Sequence, residues 1–395
     1  MSHNESPDMF YYNIIINNSG TESIPANYSE QRDIPLMTRP SDYYMSVIRF
    51  SVPGFSIPIS IIPSTNFPNL PVATPFNLYL EYNGTLVTQN VIFYSRNTST
   101  VRKNIPNSNY YYIYDYQHFV DLVNNAFSLA VAALKTAVGS ALNNLTTPFM
   151  IYNAQTQLLS LVTTQYFSGS AYTEFYETPS ANYLTTTPTL PANKVNIFFN
   201  SELFNYFQAL PVINFPNQPN KFWMLIENTY NNYYNDPQGL IPPTGPTGPT
   251  LGPLGLQQTQ QFNSLNTWNS FNSLAFISKS LPILKEFTPN VGYQNSNNTT
   301  QASSNTLPII TDYVPLLQFA GDQKADFVYN ASSLYRLIQL QGINALYSID
   351  LEVVWIDQYN NQYPIIVEPG QSINIKFMFV KKSLYGMNNK LITSF

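Results

Sequence analysis

Short apolar runs, each closed by Pro, Asn, Gly or Ser, recur along most of the chain, which is the pattern of many strands. It predicts strands at 10–17, 45–52, 76–82, 91–94, 149–152, 158–163, 195–199, 222–227, 274–277, 327–330, 335–340, 349–356 and 373–380. The 349–356 run is the cleanest. Ile349, Leu351, Val353 and Trp355 fall on one face, while Asp350 and Glu352 fall on the other, joined there by Val354 and Ile356. Period-two alternation of this kind marks a strand with one face on a core. The QYNNQ segment at 358–362 then reads as a hairpin turn, since Asn tolerates left-handed backbone angles.

One segment follows a different period. Residues 115–142 contain no Pro and place Phe119, Leu122, Val123, Ala126, Phe127, Ala130 and Leu134 at helical spacing, with Asp115 as the N-cap. The expectation is a helix lying over one sheet. A short second helix is expected at 201–207. Residues 228–261, with PPTGPTGPTLGPLG at 242–255, read as a long, stiff loop. The Gly spacing breaks the unbroken every-third-residue rule of a collagen triple helix. A second, Asn- and Ser-rich loop is expected at 288–306. The N-terminal segment 1–40 shows no clear core pattern after Asn17, and it is expected to run as an arm onto a neighbouring subunit, ordered only on assembly.

Composition sharpens this picture. Hydrophobic residues make up 44% of the 395 positions, so a sizeable core can be buried. Only 10% of residues are charged, against about 25% in an average soluble protein. Asn, Gln, Ser, Thr and 30 Tyr must cover the surface instead. Such a surface loses water more cheaply than an ionic one, and extensive interfaces are likewise poor in charge and rich in aromatics, although an A/T-rich genome would inflate Asn, Ile, Tyr and Phe in the same way without selection on function. A net charge of −5 argues against a sequence-independent grip on nucleic acid. The longest apolar stretch, 47–63, is interrupted by Arg49, Pro53 and Pro58 and is too short to span a bilayer. The Asn83-Gly84-Thr85 glycosylation triplet is of a kind expected by chance in a chain this rich in Asn and Thr.

The candidate chemistry is sparse. With no Cys, thiolate metal sites, disulfides and Cys nucleophiles are excluded. Two histidines, His3 and His118, support neither a metal cluster nor a Ser-His-Asp triad, and His118 is expected to take a helix-surface or packing role. No Gly-rich phosphate loop is present. Asp350 and Glu352, about 6 to 7 Å apart by strand rise, could form a glycosidase pair, or they are simply a solvated sheet face or a subunit contact. Lys381 and Lys382 follow the last strand, where they could meet a neighbouring subunit or internal nucleic acid, or form a plain solvated terminus. No residue is assigned as catalytic, cofactor-binding or metal-binding. The surfaces expected to make contacts are the strand faces at 43–50 and the segment after Val380.

Several strings carry a family likeness: SDYYMSVIRFSVPGFSIPI at 41–59, NIFFNSELFNYF at 196–207, TLPIITDYVPLL at 306–317, and YNASSLYRLIQLQGINALYSIDLEVVWIDQYNNQYPIIVEPGQSINIKFMFVKK at 329–382. This arrangement resembles the penton-type minor capsid proteins of virophages and Polinton-like viruses, over most of the chain. The resemblance implies an all-β, single jelly-roll sandwich in the virion, assembling as a homopentamer at each icosahedral vertex beside a major capsid protein. It implies no catalytic residue, no cofactor and no metal. The expected division is an arm and first strand at 1–40 and one part of the roll at 41–114. An insertion or projecting region with the helix and long loops follows at 115–306, and the rest of the roll at 307–395. Outer loops would be free to contact a host receptor or glycan. Other virion roles, a double-jelly-roll face protein or a receptor-binding spike, and a β-sandwich glycan hydrolase remain as alternatives.

Overall fold

The computed structural model describes residues 7–54, 58–66, 68–94, 110–143, 145–167, 171–173, 194–214, 220–226, 233–235, 254–268, 271–287, 306–307, 309–313, 326–331, 337–357 and 362–387. Among these residues four five-stranded antiparallel sheets pack as two pairs. In the first sheet the order is Met9–Asn17, Ser372–Lys381, Tyr43–Val52, Phe327–Asn330, and Ile338–Gln339 also pairs with Tyr43–Val52. In the second sheet the order is Ile309–Tyr313, Phe271–Ile277, Ser348–Asp357, Gln362–Pro364, with Asn27–Gln31 also on Ser348–Asp357.

Alternation along these strands builds the core between the two sheets. Ile373, Ile375, Phe377 and Phe379 of one sheet and Ile349, Leu351, Val353 and Trp355 of the other are all buried in one cluster. Phe50 sits at its centre, with ring centroids 4.8 Å from Phe276, 4.4 Å from Tyr313 and 5.4 Å from Tyr329. Trp355 stacks on Tyr363 at 4.3 Å. Such aromatic packing adds to the area effect of burial.

The other pair of sheets encloses the helix. The third sheet runs Val212–Asn214, Lys221–Met224, Asn196–Asn200, Val72–Tyr82, Thr85–Phe93. The fourth runs Ala171–Thr173, Leu158–Phe167, Leu254–Thr259, Tyr233–Asn235, with Phe149–Asn153 also on Leu158–Phe167. The helix spans Tyr116–Val138 and continues as a 3-10 turn over Gly139–Leu142. Asp115 caps it, accepting from the His118 backbone N–H at 2.6 Å, and Gly139 at φ +82° ends it in a conformation that favours glycine. By length and composition this helix could cross a bilayer, but its Phe119, Leu122, Val123, Phe127 and Leu134 are fully buried against the sheets. Phe119, Tyr206 and Trp268 meet here at centroid distances of 4.7 to 5.1 Å.

A two-stranded ribbon, Ser60–Pro63 with Tyr110–Ile113, joins the two halves. Its alternation is divided between two cores. Ile62, Tyr111 and Ile113 belong to the cluster around the helix, while Tyr112, with Ile61 packed beside it, belongs to the sandwich cluster.

Strand pairing redistributes the expected segments. The 72–82 and 85–93 strands, expected with 41–114, pair with Asn196–Asn200 beside the helix. Phe271–Ile277, expected within 115–306, is instead a central strand of the second sheet. Part of the expected 228–261 loop is also a strand, Leu254–Thr259, whose Leu256 and Gln258 are buried. The rest of that loop lies mostly outside the described residues, as do the 358–361 turn and nearly all of 288–306. Residues 18–40 do not leave the molecule as an arm. Asn27–Gln31 pairs with Ser348–Asp357, and Ala26 and Met37 are fully buried anchors.

Candidate assembly surface

The two outward faces of the sandwich differ. On the second sheet, Ala275, Ile277, Ile309, Val354 and Ile356 point away from the main core and are nevertheless buried in a cluster of their own. On the first sheet most outward positions are exposed or half-exposed, with Ser46 the buried exception. Met9, Tyr11 and Ile15 of the edge strand are 50%, 52% and 55% exposed, and Val328 at the opposite side is 59% exposed.

Register orders this face in rows across the sheet. Ile15, Asn374, Ser51 and Val328 form one row, and Asn13, Lys376, Arg49 and Asn330 form the next. Tyr11 and Met378 with Ser46, then Met9 and Val380 with Tyr44, complete it. Arg49 and Lys376 are therefore direct cross-strand neighbours on one face. Lys376 Nζ lies 4.7 Å from the Tyr11 ring centroid. Sequence reasoning passed over this pair, although each is the one charge in its run, MSVIRFSV and INIKFMFV. The expected 43–50 surface is thus half inward: Tyr43, Met45 and Phe50 are buried, and Tyr44 and Arg49 face out. A register shift between Lys376 and Phe377 lets Val47 and Phe50 both turn into the core.

The remaining candidates have structural roles. Asp350 accepts from Ser278 Oγ at 2.6 Å, Ser280 Oγ at 2.5 Å, Ser280 N at 2.7 Å and Lys279 N at 3.0 Å. Burial pushes this carboxyl upward, but the Ser278 and Ser280 hydroxyls and the Lys279 and Ser280 amides outweigh it and hold it below the usual carboxylate range. Glu352 pairs with Lys279 Nζ at 3.2 Å. A glycosidase acid needs a raised carboxyl beside a free partner, whereas Asp350 is held low and Glu352 is engaged by Lys279. It fastens the 278–281 turn onto Ser348–Asp357.

At the sandwich edge, the Tyr12 and Tyr28 hydroxyls both donate to Glu30, linking Met9–Asn17 to Asn27–Gln31 across the two sheets. Those bonds, the Tyr12 one first, hold Glu30 below its ordinary range. Lys381 pairs with Asp8 at 2.8 Å, and Lys382 Nζ lies 5.3 Å from the Tyr44 ring centroid, so both lysines fasten the end of the first sheet. His118 is buried, its Nε2 2.8 Å from the Tyr94 carbonyl, in the packing role expected of it. A groove of about 780 Å³ runs between the helix and Phe149–Asn153, lined by Gln117, Asp121, Asn124, Asn153 and Gln155 among others. Asn124 closes part of that strand edge, donating to the Met150 carbonyl at 3.0 Å and accepting from its N–H at 2.6 Å. No cluster of metal-ligating residues occurs among the described residues.

Comparison with known proteins gives a consistent result. The model of the family described as Sputnik minor capsid protein V18/19 matches residues 10–381. Structural protein V19 of Sputnik virophage is 32% identical over 209 residues, covering 52% of this chain and 88% of that protein. Uncharacterized protein V18 of the same virophage is 34% identical over 154 residues, covering 34% of this chain and 90% of that protein. A chain of the cryo-EM structure of Sputnik virophage superimposes with a TM-score of 0.67 at 30% identity, over 96% of this chain and 99% of that one. The mavirus penton protein superimposes with a TM-score of 0.55 at 15% identity, over 95% of this chain and all of that one, a likeness of fold.

Proposed function

This chain belongs to the Sputnik minor capsid protein V18/19 family, and from that premise we propose that it forms the vertices of an icosahedral capsid as a homopentamer. It is a structural component of a virophage virion, not an enzyme. The facing first and second sheets are the single jelly roll of this reading. The contiguous 72–268 stretch, with the helix and the other two sheets, is its projecting unit. One observation carries the proposal most directly: the sandwich is assembled from both ends of the chain, 9–52 and 271–381, with a separately cored unit inserted between them. That arrangement allows the sandwich to pack around a fivefold axis while the inserted unit projects from it. Head-to-tail contacts of this kind close a ring without self-complementary patches. A major capsid protein making the faces is the second partner of this reading.

The test is the absolute mass of the purified chain by light scattering or native mass spectrometry. A single chain weighs 44.8 kDa. A species near five times that mass is expected. A trimer would replace the vertex reading with a face or spike role, and a monomer at all concentrations would remove self-assembly from it.

A further inference from the structure

Cross-strand neighbours of like charge destabilise a sheet, because their Cβ atoms lie only about 5 Å apart. The first sheet nevertheless places Lys376 directly opposite Arg49 on its outward face, between Asn13 and Asn330. None of the outward positions in its rows is an Asp or Glu. The ion pairs seen elsewhere in the sandwich engage Arg32, Arg39, Lys279 and Lys381, and not these two cations. Around the pair lie half-exposed Tyr11, Ile15 and Val328, and the polar residues between them are amides and hydroxyls, which lose water cheaply. The face thus has the composition of an interface centre: aromatic and aliphatic, poor in charge, with one cationic focus that meets no carboxylate among the described residues.

We infer that this outward face of the first sheet is where a second copy of the chain docks, with carboxylates of that copy neutralising Arg49 and Lys376. The inference deepens the pentamer reading and rests on it. Three observations select a copy of the chain as the occupant. The chain carries 22 acidic against 17 basic residues, so the rest of its own surface supplies the complementary charge. Part of the corresponding face of the second sheet, at Ala275, Ile277, Ile309, Val354 and Ile356, is already buried within the chain, whereas the apolar residues at the margins of this one are exposed. The two surfaces of a head-to-tail contact must differ, as a cationic face and an acidic one do. Two cations set among Tyr, Ile and Val are too few for a phosphate backbone, whose binding scales with the number of charges neutralised.

The full-length chain is compared with an Arg49→Gln, Lys376→Gln double variant and with Asn330→Glu. The latter places a carboxylate beside Arg49 within the same copy. Native mass spectrometry over a dilution series reads assembly, and thermal melting of the dissociated chain reads the fold. Both variants are expected to need at least ten-fold higher concentration to assemble while melting at or above the wild-type temperature, since each relieves the like-charge contact. A role confined to the fold would move both readouts in the same direction. Variants that assemble at the wild-type concentration overturn the docking face and leave the pentamer standing. A wild-type chain that never exceeds one copy overturns both. Loss of nucleic-acid binding, with assembly unchanged, would assign the pair to phosphate and also overturn the inference. If the double variant fails to fold, Asn330→Glu, which removes no cation, decides the question.

Discussion

Asp350 shows how one side chain can look catalytic in sequence and be structural in space. Its carboxylate gathers four donors from residues 278–280, and each hydrogen bond to a charged group contributes about 1.5 to 3 kcal/mol when both partners are in place. Asp350→Asn keeps the shape but loses acceptor capacity, so it is expected to lower the melting temperature at pH 7. The sign with pH follows from the depressed folded-state value. The stability from Asp350 is present above its unfolded value and is lost as pH falls through the folded one, which places the window below about pH 4. The gap between wild type and variant should therefore narrow as pH falls below about 4, and melting curves at pH 7 and across the acid range check this. A gap that does not narrow at all on acidification would mean that the charge is not what holds the turn. Glu30, with its two Tyr donors, adds to the same acid lability.

At the scale of elements, what could be read in the sequence followed how regular each pattern was. The 349–356 alternation and the 116–138 helix were legible because nearly every inward position is apolar, His118 being the exception on the helix. Leu254–Thr259 was not, because its inward series continues through buried glutamines. Gln260, just past its end, accepts from the Leu159 N–H at 3.0 Å and donates to Ser264 Oγ at 2.6 Å. Amides filling core positions hide a strand's period, and the neighbouring Gly and Pro suggest a loop. Residues 24–40 were illegible for a related reason: they are held by single buried anchors, Ala26 and Met37, with no repeat to detect. The docking face was half legible. The run at 43–50 was recognised as important, but with apolar residues on both sides of the strand only the register shows which of them face out.

Asn83-Gly84, dismissed in sequence as a chance glycosylation triplet, is a two-residue hairpin turn with both residues at positive φ, 48° and 81°, joining Val72–Tyr82 to Thr85–Phe93. An added Cβ at Gly84 meets nothing within 4 Å, so Gly84→Ala isolates the backbone term. It is expected to cost about 1 kcal/mol, read by chemical denaturation. A neutral result would mean that the turn relaxes freely.

For the whole molecule, the decisive feature is the ribbon whose alternate residues enter different cores. Tyr112 lies in the sandwich with its ring 6.1 Å from Trp355, while its neighbours Tyr111 and Ile113 lie with the helix. Two cores that share one ribbon should unfold together. Tyr112→Ala removes a large buried side chain at a cost of about 3 kcal/mol or more. It is expected to split one calorimetric transition into two. A single transition in the variant would show that the halves are coupled by other contacts.

Strand order also sets a timetable. Ser372–Lys381 lies between Met9–Asn17 and Tyr43–Val52, with Met9 opposite Val380, so the first sheet cannot close until almost the whole described chain has been synthesised. The sheets around the helix draw on a contiguous stretch and can close much earlier, since their contacts span shorter loops. A growing chain therefore carries Arg49 but not yet Lys376, and lacks the face on which a neighbour would dock. Copies made side by side on one messenger are kept apart during synthesis by the position of the last strand, and become able to join only once each is complete.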